Sequence, residues 1–235
     1  MKKLIIASTS TVYGSGYLEY ILPALQDFFK GTNEILFIPY ARPGGISYDG
    51  YTALVTDAFS KIDISVKGIH QFEDPKKAIK NAEAIFTGGG NTFVLVKTLY
   101  DLNLIDVIKN TIENGTPYLG TSAGSNITGI SMQTTNDMPI IYPPSFNTLE
   151  LLPFNLNPHY LDPDPGSKHK GETRETRIKE FHTYNKIPVL GLRESSWLEV
   201  RGQKITLKGN LTARLFRKNE KPVEIDKGEI NYKKW

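Results

Sequence analysis

Five consecutive residues, Gly120-Thr121-Ser122-Ala123-Gly124, set a hydroxyl among small neighbours in a G-x-S-x-G pattern. Such a pattern suits a tight turn from strand to helix, because small residues let the backbone pass close to itself. The turn lifts the serine hydroxyl above the C-terminal edge of a sheet. It also places it at a helix start, where free N–H groups favour negative charge. That is the chemistry of a nucleophile in acyl transfer. The same turn serves proteins that only hold phosphate, and alone it does not separate the two. A second cluster, Gly88-Gly89-Gly90-Asn91, ends another short apolar run. Its bare N–H groups favour hydrolysis, with Gly90 giving one donor to an oxyanion and Ala123 the other. No Gly-Lys-Ser/Thr follows these glycines, and no G-x-G-x-x-G opens a helix after the first strand, which weakens the phosphate reading.

A serine nucleophile needs a base, and the chain has four histidines: His70, His159, His169 and His182. His70, at the end of an early strand, reads as a surface or satisfied residue. His169, among lysines, reads as solvated, and His182 reads as a cationic cap at the end of a polar helix. His159 lies in Asn157-Pro158-His159-Tyr160, a proline-bearing stretch downstream of Ser122 that can return over the strand ends. The base role falls to it. Two carboxylates compete to orient the histidine: Asp137, after Thr134-Thr135-Asn136, and Glu194, in Gly191-Leu192-Arg193-Glu194-Ser195. Each is equally readable as a turn or surface acid. Arg174 and Arg177 stand three apart, on one face of a helix, and suit a substrate carboxylate. Surface pairing with Glu172, Glu175 or Glu180 competes with that role, more strongly for Arg177. Arg193 is a further candidate.

The scaffold for these groups is read from hydrophobic periodicity. Short apolar runs alternate with helical patterns, which predicts an α/β protein with a mostly parallel central sheet flanked by helices in three layers. Strands are expected at Lys3–Ala7, Ile35–Pro39, Asp63–Ile69, Ala84–Thr87 and Pro117–Gly120. Helices are expected at Tyr17–Phe29, Tyr51–Lys61, Pro75–Asn81, Thr92–Leu99, Leu104–Asn114, Ser125–Ile130 and Glu172–Tyr184. The proline-rich stretch Met138–Asp164 reads as mostly loop. From Val189 onward, four short apolar runs predict an antiparallel β extension at the C-terminal end.

At 235 residues the chain suits one large domain, taken as 1–235, with no linker-like stretch dividing it. Charged residues form 23% and hydrophobic residues 39%, and the net charge is +3 with basic residues scattered. This argues against a nucleic-acid partner. The complete lack of cysteine excludes disulfides and thiolate chemistry and suits a reducing compartment. The apolar run Leu4–Ala7 is too short for a signal peptide, and no stretch is long enough to span a membrane. A cytoplasmic protein is expected.

Four runs together resemble the aspartyl dipeptidase (peptidase E) family of serine peptidases. They are Thr87-Gly88-Gly89-Gly90-Asn91-Thr92, Gly120 to Asn126, Thr134-Thr135-Asn136-Asp137-Met138-Pro139 and Gly171-Glu172-Thr173-Arg174. The resemblance covers nearly the whole chain. It implies a fold akin to the class I glutamine amidotransferase, flavodoxin-like proteins. It also implies hydrolysis of dipeptides with an N-terminal aspartate, without metal or organic cofactor. Carried over by motif, the nucleophile falls on Ser122 and the histidine on His159; Asn91 joins Arg174 and Arg177 as an expected substrate-binding residue. The third member has been placed at both positions filled here by Asp137 and Glu194. Direct contact of Glu194 with His159 is the expectation, with Asp137 acting on the substrate amine or the loop. A cyanophycinase-like exo-acting hydrolase and a non-catalytic anion-binding protein are the alternatives. The expected partner is a small peptide, and the chain is expected to be a monomer or a homodimer.

Overall fold

The computed structural model describes residues 1–164, 166, 168 and 171–235. His169, expected to be solvated, lies outside the described residues. The chain begins with β1 (Lys3–Ala7), α1 (Leu22–Phe28), β2 (Glu34–Ile38), α2 (Tyr48–Ser60) and β3 (Ser65–Gly68). It continues through α3 (Pro75–Lys80), β4 (Ala84–Thr87), α4 (Thr92–Asp101), α5 (Ile105–Glu113) and β5 (Tyr118–Thr121). A one-turn helix, α6 (Ala123–Asn126), follows directly; β6 (Asn155–Pro158) and α7 (Arg174–Tyr184) come later. The last part holds β7 (Val189–Leu192), β8 (Ser196–Arg201), β9 (Lys204–Gly209), β10 (Ala213–Phe216), β11 (Val223–Ile225) and β12 (Gly228–Glu229).

One eight-stranded sheet runs in the order β12-β9-β8-β1-β5-β4-β2-β3. The block from β1 to β3 is parallel, while β8, β9 and β12 add antiparallel pairs. Alternation along β1 explains the layers. Leu4 and Ile6 pack with Leu95, Leu99 and Ile108 of α4 and α5 on one face. Ile5 and Ala7 pack with Leu25, Val55 and Phe59 of α1 and α2 on the other. Strands covered on both faces read as unbroken apolar runs, which is why they are legible in the sequence. Parallel strands also leave their C-terminal ends on one edge, and Ser8, Gly88, Gly89 and Ser122 all follow such ends.

Three expectations need correction. The predicted Tyr17–Phe29 helix begins only at Leu22, after a short 3-10 turn at Glu19–Ile21. Leu18 takes a left-handed conformation there (φ 57°), and Pro23 fits only a helix's first turn. The predicted Ser125–Ile130 helix is displaced to Ala123–Asn126. Finally, the tail is not one antiparallel extension. β8 and β9 join the main sheet beside β1, whereas β7, β10 and β11 build a second sheet in the order β11-β10-β7-β6. Its fourth strand comes from within the predicted loop and pairs parallel to β7. Leu156, Leu190 and Leu192 carry this sheet into the main core.

Candidate active site

Ser122 caps β5 with φ 52° and ψ −109°, a conformation rare for any residue with a side chain. Holding it costs about 1–3 kcal/mol, which surrounding bonds must offset. Ser122 N donates to Ala7 O, and Ser125 Oγ donates to both Ala7 O (2.6 Å) and Gly120 O (2.8 Å). Tyr118 Oη fixes the far side by donating to Gly124 O at 2.8 Å. The glycines are steric necessities here. A β-carbon on Gly120 would overlap Gly124 O, and one on Gly124 would overlap Thr87 O. The turn is thus locked against the ends of β1 and β4.

His159 reaches Ser122 from the second sheet. It follows β6 directly and turns there with φ 54°. Its backbone N donates to Ser8 Oγ (2.8 Å), and Ser8 Oγ donates to Leu192 O (2.7 Å). Asn136 Nδ2 donates to Pro158 O at 2.6 Å. These bonds bring His159 Nε2 to 2.9 Å from Ser122 Oγ and Nδ1 to 2.6 Å from Glu194 Oε1. With Nδ1–H donating to the carboxylate, Nε2 is left to accept from the serine hydroxyl.

Asp137 does not touch the histidine. Its Oδ2 accepts from Thr92 N (2.7 Å), Thr92 Oγ1 (2.6 Å) and Thr135 Oγ1 (3.0 Å). Asn91 caps α4, with Oδ1 accepting from Val94 N and Nδ2 donating to Met138 O. Arg174 opens α7 close to Asp137. Burial and the neighbouring Arg177 charge pull its pKa below the ordinary arginine value, against the attraction of Asp137. Arg177 is exposed and loosely paired with Glu172 at 3.9 Å.

Gly90 N and Ala123 N donate to no other group among the described residues. Gly89 N is spent on Tyr51 Oη at 3.0 Å. Gly89 lies against Ser122 and Gly90 against Ala41, where added β-carbons would clash. Both glycine loops therefore bracket the serine closely. Among the described residues, no cluster of His, Asp and Glu is arranged to hold a metal ion.

Two sequence readings fail against this geometry. Arg193 is saturated, clamped to both oxygens of Asp162 (2.7 and 2.8 Å), to Glu224 (2.9 and 3.1 Å) and to Thr212, so it has no capacity left for a ligand. His182 is buried, and burial with the Lys218 charge lowers its pKa, so it does not serve as a cationic cap. His70 meets Asp49 through Nε2 at 2.8 Å, while its Nδ1 is buried without a partner among the described residues. Ser8 and Tyr51, which hold the histidine and the glycine loop, are missed by sequence reasoning. Only their positions, one just past a strand end and one on a helix face, hint at these roles.

The family model of peptidase family S51 matches residues 4–208. A probable alpha-aspartyl dipeptidase of Drosophila melanogaster is 48% identical over 219 residues, 92% of this chain and 90% of that protein. A peptidase E of Streptomyces coelicolor is 48% identical over 225 residues, covering 96% and 91%. In fold, the chain resembles a putative peptidase E of Listeria monocytogenes EGD-e (TM-score 0.68, 22% identity, covering 90% and 100%). It also resembles a peptidase from an acI-B1 Actinobacterium (TM-score 0.72, 15% identity, covering 97% and 96%). With a serine turn braced as a nucleophile's would be and a family match over most of its length, the chain belongs to peptidase family S51.

Proposed function

We propose that this peptidase hydrolyses dipeptides with an N-terminal aspartate through an acyl-enzyme on Ser122, with His159 as base and Glu194 orienting it. The observation that carries the reading is the unbroken chain Ser122 Oγ–His159 Nε2 (2.9 Å) and His159 Nδ1–Glu194 (2.6 Å). Ser122 Oγ attacks the carbonyl of the first residue as His159 Nε2 takes its proton. The N–H groups of Gly90 and Ala123 receive the oxyanion, each worth about 3 kcal/mol in the transition state. His159 then protonates the leaving amine, and water, deprotonated by the same nitrogen, releases the first residue and regenerates the serine.

Substrate recognition follows from what the protein has not already consumed. Oδ2 of Asp137 holds three protein donors, which leaves Oδ1 for the substrate ammonium group. Arg174 makes no ion pair among the described residues and feels the charge of that acid, with Arg177 one turn further along α7. We assign both to substrate carboxylate binding. Asn91 borders the same site by anchoring Met138 and capping α4.

The finer fold relationship is also our reading. Starting from β2, the order β3-β2-β4-β5 reproduces the 2-1-3-4 part of the flavodoxin-like arrangement, with β1 in the fifth place. This supports a class I glutamine amidotransferase-like core. Because nucleophile and base come from different sheets, residues 1–235 act as one catalytic unit. A cysteine-free composition supports a cytoplasmic setting. No described helix is long and apolar enough to cross a membrane.

A fluorophosphonate probe read by mass spectrometry tests the chemistry, and Asp-Leu hydrolysis tests the substrate. The native chain labels at Ser122 and cleaves Asp-Leu, while Ser122→Ala folds and does neither. Labelling without cleavage of any aspartyl dipeptide would leave a serine hydrolase with a different substrate.

A further inference from the structure

The loop Gly88-Gly89-Gly90 has to present one N–H group, that of Gly90, to an oxyanion, yet glycine is the residue least able to hold a peptide group in one orientation. Rotation about the Gly89 ψ and Gly90 φ angles would turn the peptide between them over, and neither residue has a side chain to oppose it. A group outside the loop must fix that peptide, and Tyr51 stands in the place to do so.

Tyr51 lies on α2 and is fully buried. Its ring packs edge-to-face with Phe37 (centroids 4.9 Å apart) and with Tyr17 (6.2 Å), and the Arg42 guanidinium covers its face at 4.6 Å. The hydroxyl so placed accepts from Gly89 N at 3.0 Å and from Tyr17 Oη at 3.3 Å. Its single hydrogen is then left for Gly89 O, also at 3.3 Å. One oxygen thus holds both backbone groups of Gly89 on the same side. The approach is close: a β-carbon on Gly88 would stand 2.6 Å from Tyr51 Oη, so Gly88 is needed to admit the tyrosine, as Gly89 is needed to admit Ser122.

Peptide planarity carries this hold into the site. The Gly89–Gly90 peptide is trans, so Gly89 O and Gly90 N–H point in opposite directions across one rigid plane. With Gly89 O pinned to Tyr51, Gly90 N–H is turned away from Tyr51. That direction matters because Tyr51 and Ala123 belong to opposite faces of the main sheet. Tyr51 packs with Phe37, Val55 and Phe59, whereas Ala123 packs with Leu95 and Ile127. Turning away from Tyr51 therefore aims Gly90 N–H toward the face where Ala123 opens α6 and offers the second free donor. A flipped peptide would put a carbonyl oxygen there, which repels the developing negative charge.

We propose that the Tyr51 hydroxyl is a positioning group for the oxyanion site. By binding both Gly89 N and Gly89 O, it locks the Gly89–Gly90 peptide in the one orientation that lets Gly90 N–H stabilise the transition state. This rests on the acyl-transfer reading of Ser122 and deepens it.

Tyr51→Phe keeps the ring and removes only the hydroxyl, and a thermal melt checks that it folds. On Asp-Leu, kcat falls about 10- to 100-fold while KM stays within about twofold of native. The rate of fluorophosphonate labelling at Ser122 falls about tenfold or more, whatever the substrate. The boronic acid analogue of aspartate supplies a third readout. Ser122 Oγ adds to its boron, the serine proton passes to His159 Nε2, and the boron becomes a tetrahedral anion with an oxygen where the oxyanion forms. Its Ki rises in Tyr51→Phe by about the factor by which kcat/KM falls. Gly88→Ala, whose methyl group displaces the same hydroxyl, gives the same pattern and decides the matter if the phenylalanine variant does not fold. Native kcat and native labelling in Tyr51→Phe overturn the proposal and leave the peptidase reading standing. A raised KM alone overturns it too, as does a lowered kcat that the boronate Ki does not follow. A native chain that does not label at Ser122 overturns both.

Discussion

Glu194 Oε1 sits 2.6 Å from His159 Nδ1, while the other acid of the site, Asp137, turns its carboxylate onto Thr92 and Thr135. The two acids therefore fail differently when neutralised. In Glu194→Gln the wrong tautomer of His159 is favoured, and kcat falls by about 10²–10⁴ with KM little changed. In Asp137→Asn the substrate ammonium loses its counter-charge, so KM rises and kcat stays near native. Steady-state kinetics on Asp-Leu separates the cases, and a large kcat loss confined to Asp137→Asn would reverse the roles.

Ser8 joins the two sheets at the base. Its hydroxyl receives His159 N and donates to Leu192 O, so its loss frees a histidine already held at a positive φ. Ser8→Ala should cost about 1 kcal/mol in stability. It should also lower kcat about tenfold, because small misplacements of a base are expensive. Urea unfolding and kcat are read together. A shifted midpoint with native kcat would reduce Ser8 to a structural brace.

Crowding at the Ser122 turn has its own signature. Gly124→Ala drives a methyl group into Thr87 O, whose backbone is fixed in β4, and should destabilise by about 1–3 kcal/mol. Gly44 has nothing within 4 Å of its would-be β-carbon, and Gly44→Ala should stay within about 0.5 kcal/mol of native. Thermal melts of the pair discriminate close approach from a general cost of replacing glycine.

The legible parts of this molecule are those governed by local pattern. Four strands of the parallel block, β1, β2, β4 and β5, are short apolar runs buried on both faces, and the Ser122 turn carries its steric demands in its own five residues. His159 emerges from the four histidines by elimination, yet the strand that carries it does not show. Asn155-Leu156-Asn157-Pro158 has no apolar alternation, and it becomes a strand only because β7 offers it an edge. The split of the C-terminal strands between two sheets is hidden for a similar reason, since pairing partners are chosen by long-range packing. Arg193 looks available in the sequence because a lone arginine beside a site glutamate says nothing of Asp162 and Glu224, which lie far away along the chain and saturate it. Arg42 carries no sequence signal because its neighbour Tyr51 is adjacent only in the fold.

The Arg193 clamp makes stability fall in acid over a defined range. Arg193, with Thr212 and Arg214, holds the Glu224 carboxyl at about 2, against an ordinary value of 4.5 and against the opposing effect of burial. A carboxyl whose pKa is depressed by folding stabilises the native state above its unfolded value. That contribution disappears as pH drops from about 4.5 to about 2, where the folded form also takes up the proton. The side chain is 41% exposed, so solvent screens the pair and the effect is smaller than the shift alone would suggest. Glu224→Gln isolates most of it, because carboxyls that do not share Arg193 or Arg214 with Glu224 titrate alike in both chains. Urea midpoints measured from about pH 7 to about pH 2.5 should show native and variant apart at neutral pH and converging below about pH 4. A constant gap across that range would mean that Glu224 contributes by packing and hydrogen bonding rather than by charge. Arg193 directly follows β7 and precedes Glu194, so the same acid range should loosen the hold of Glu194 on His159.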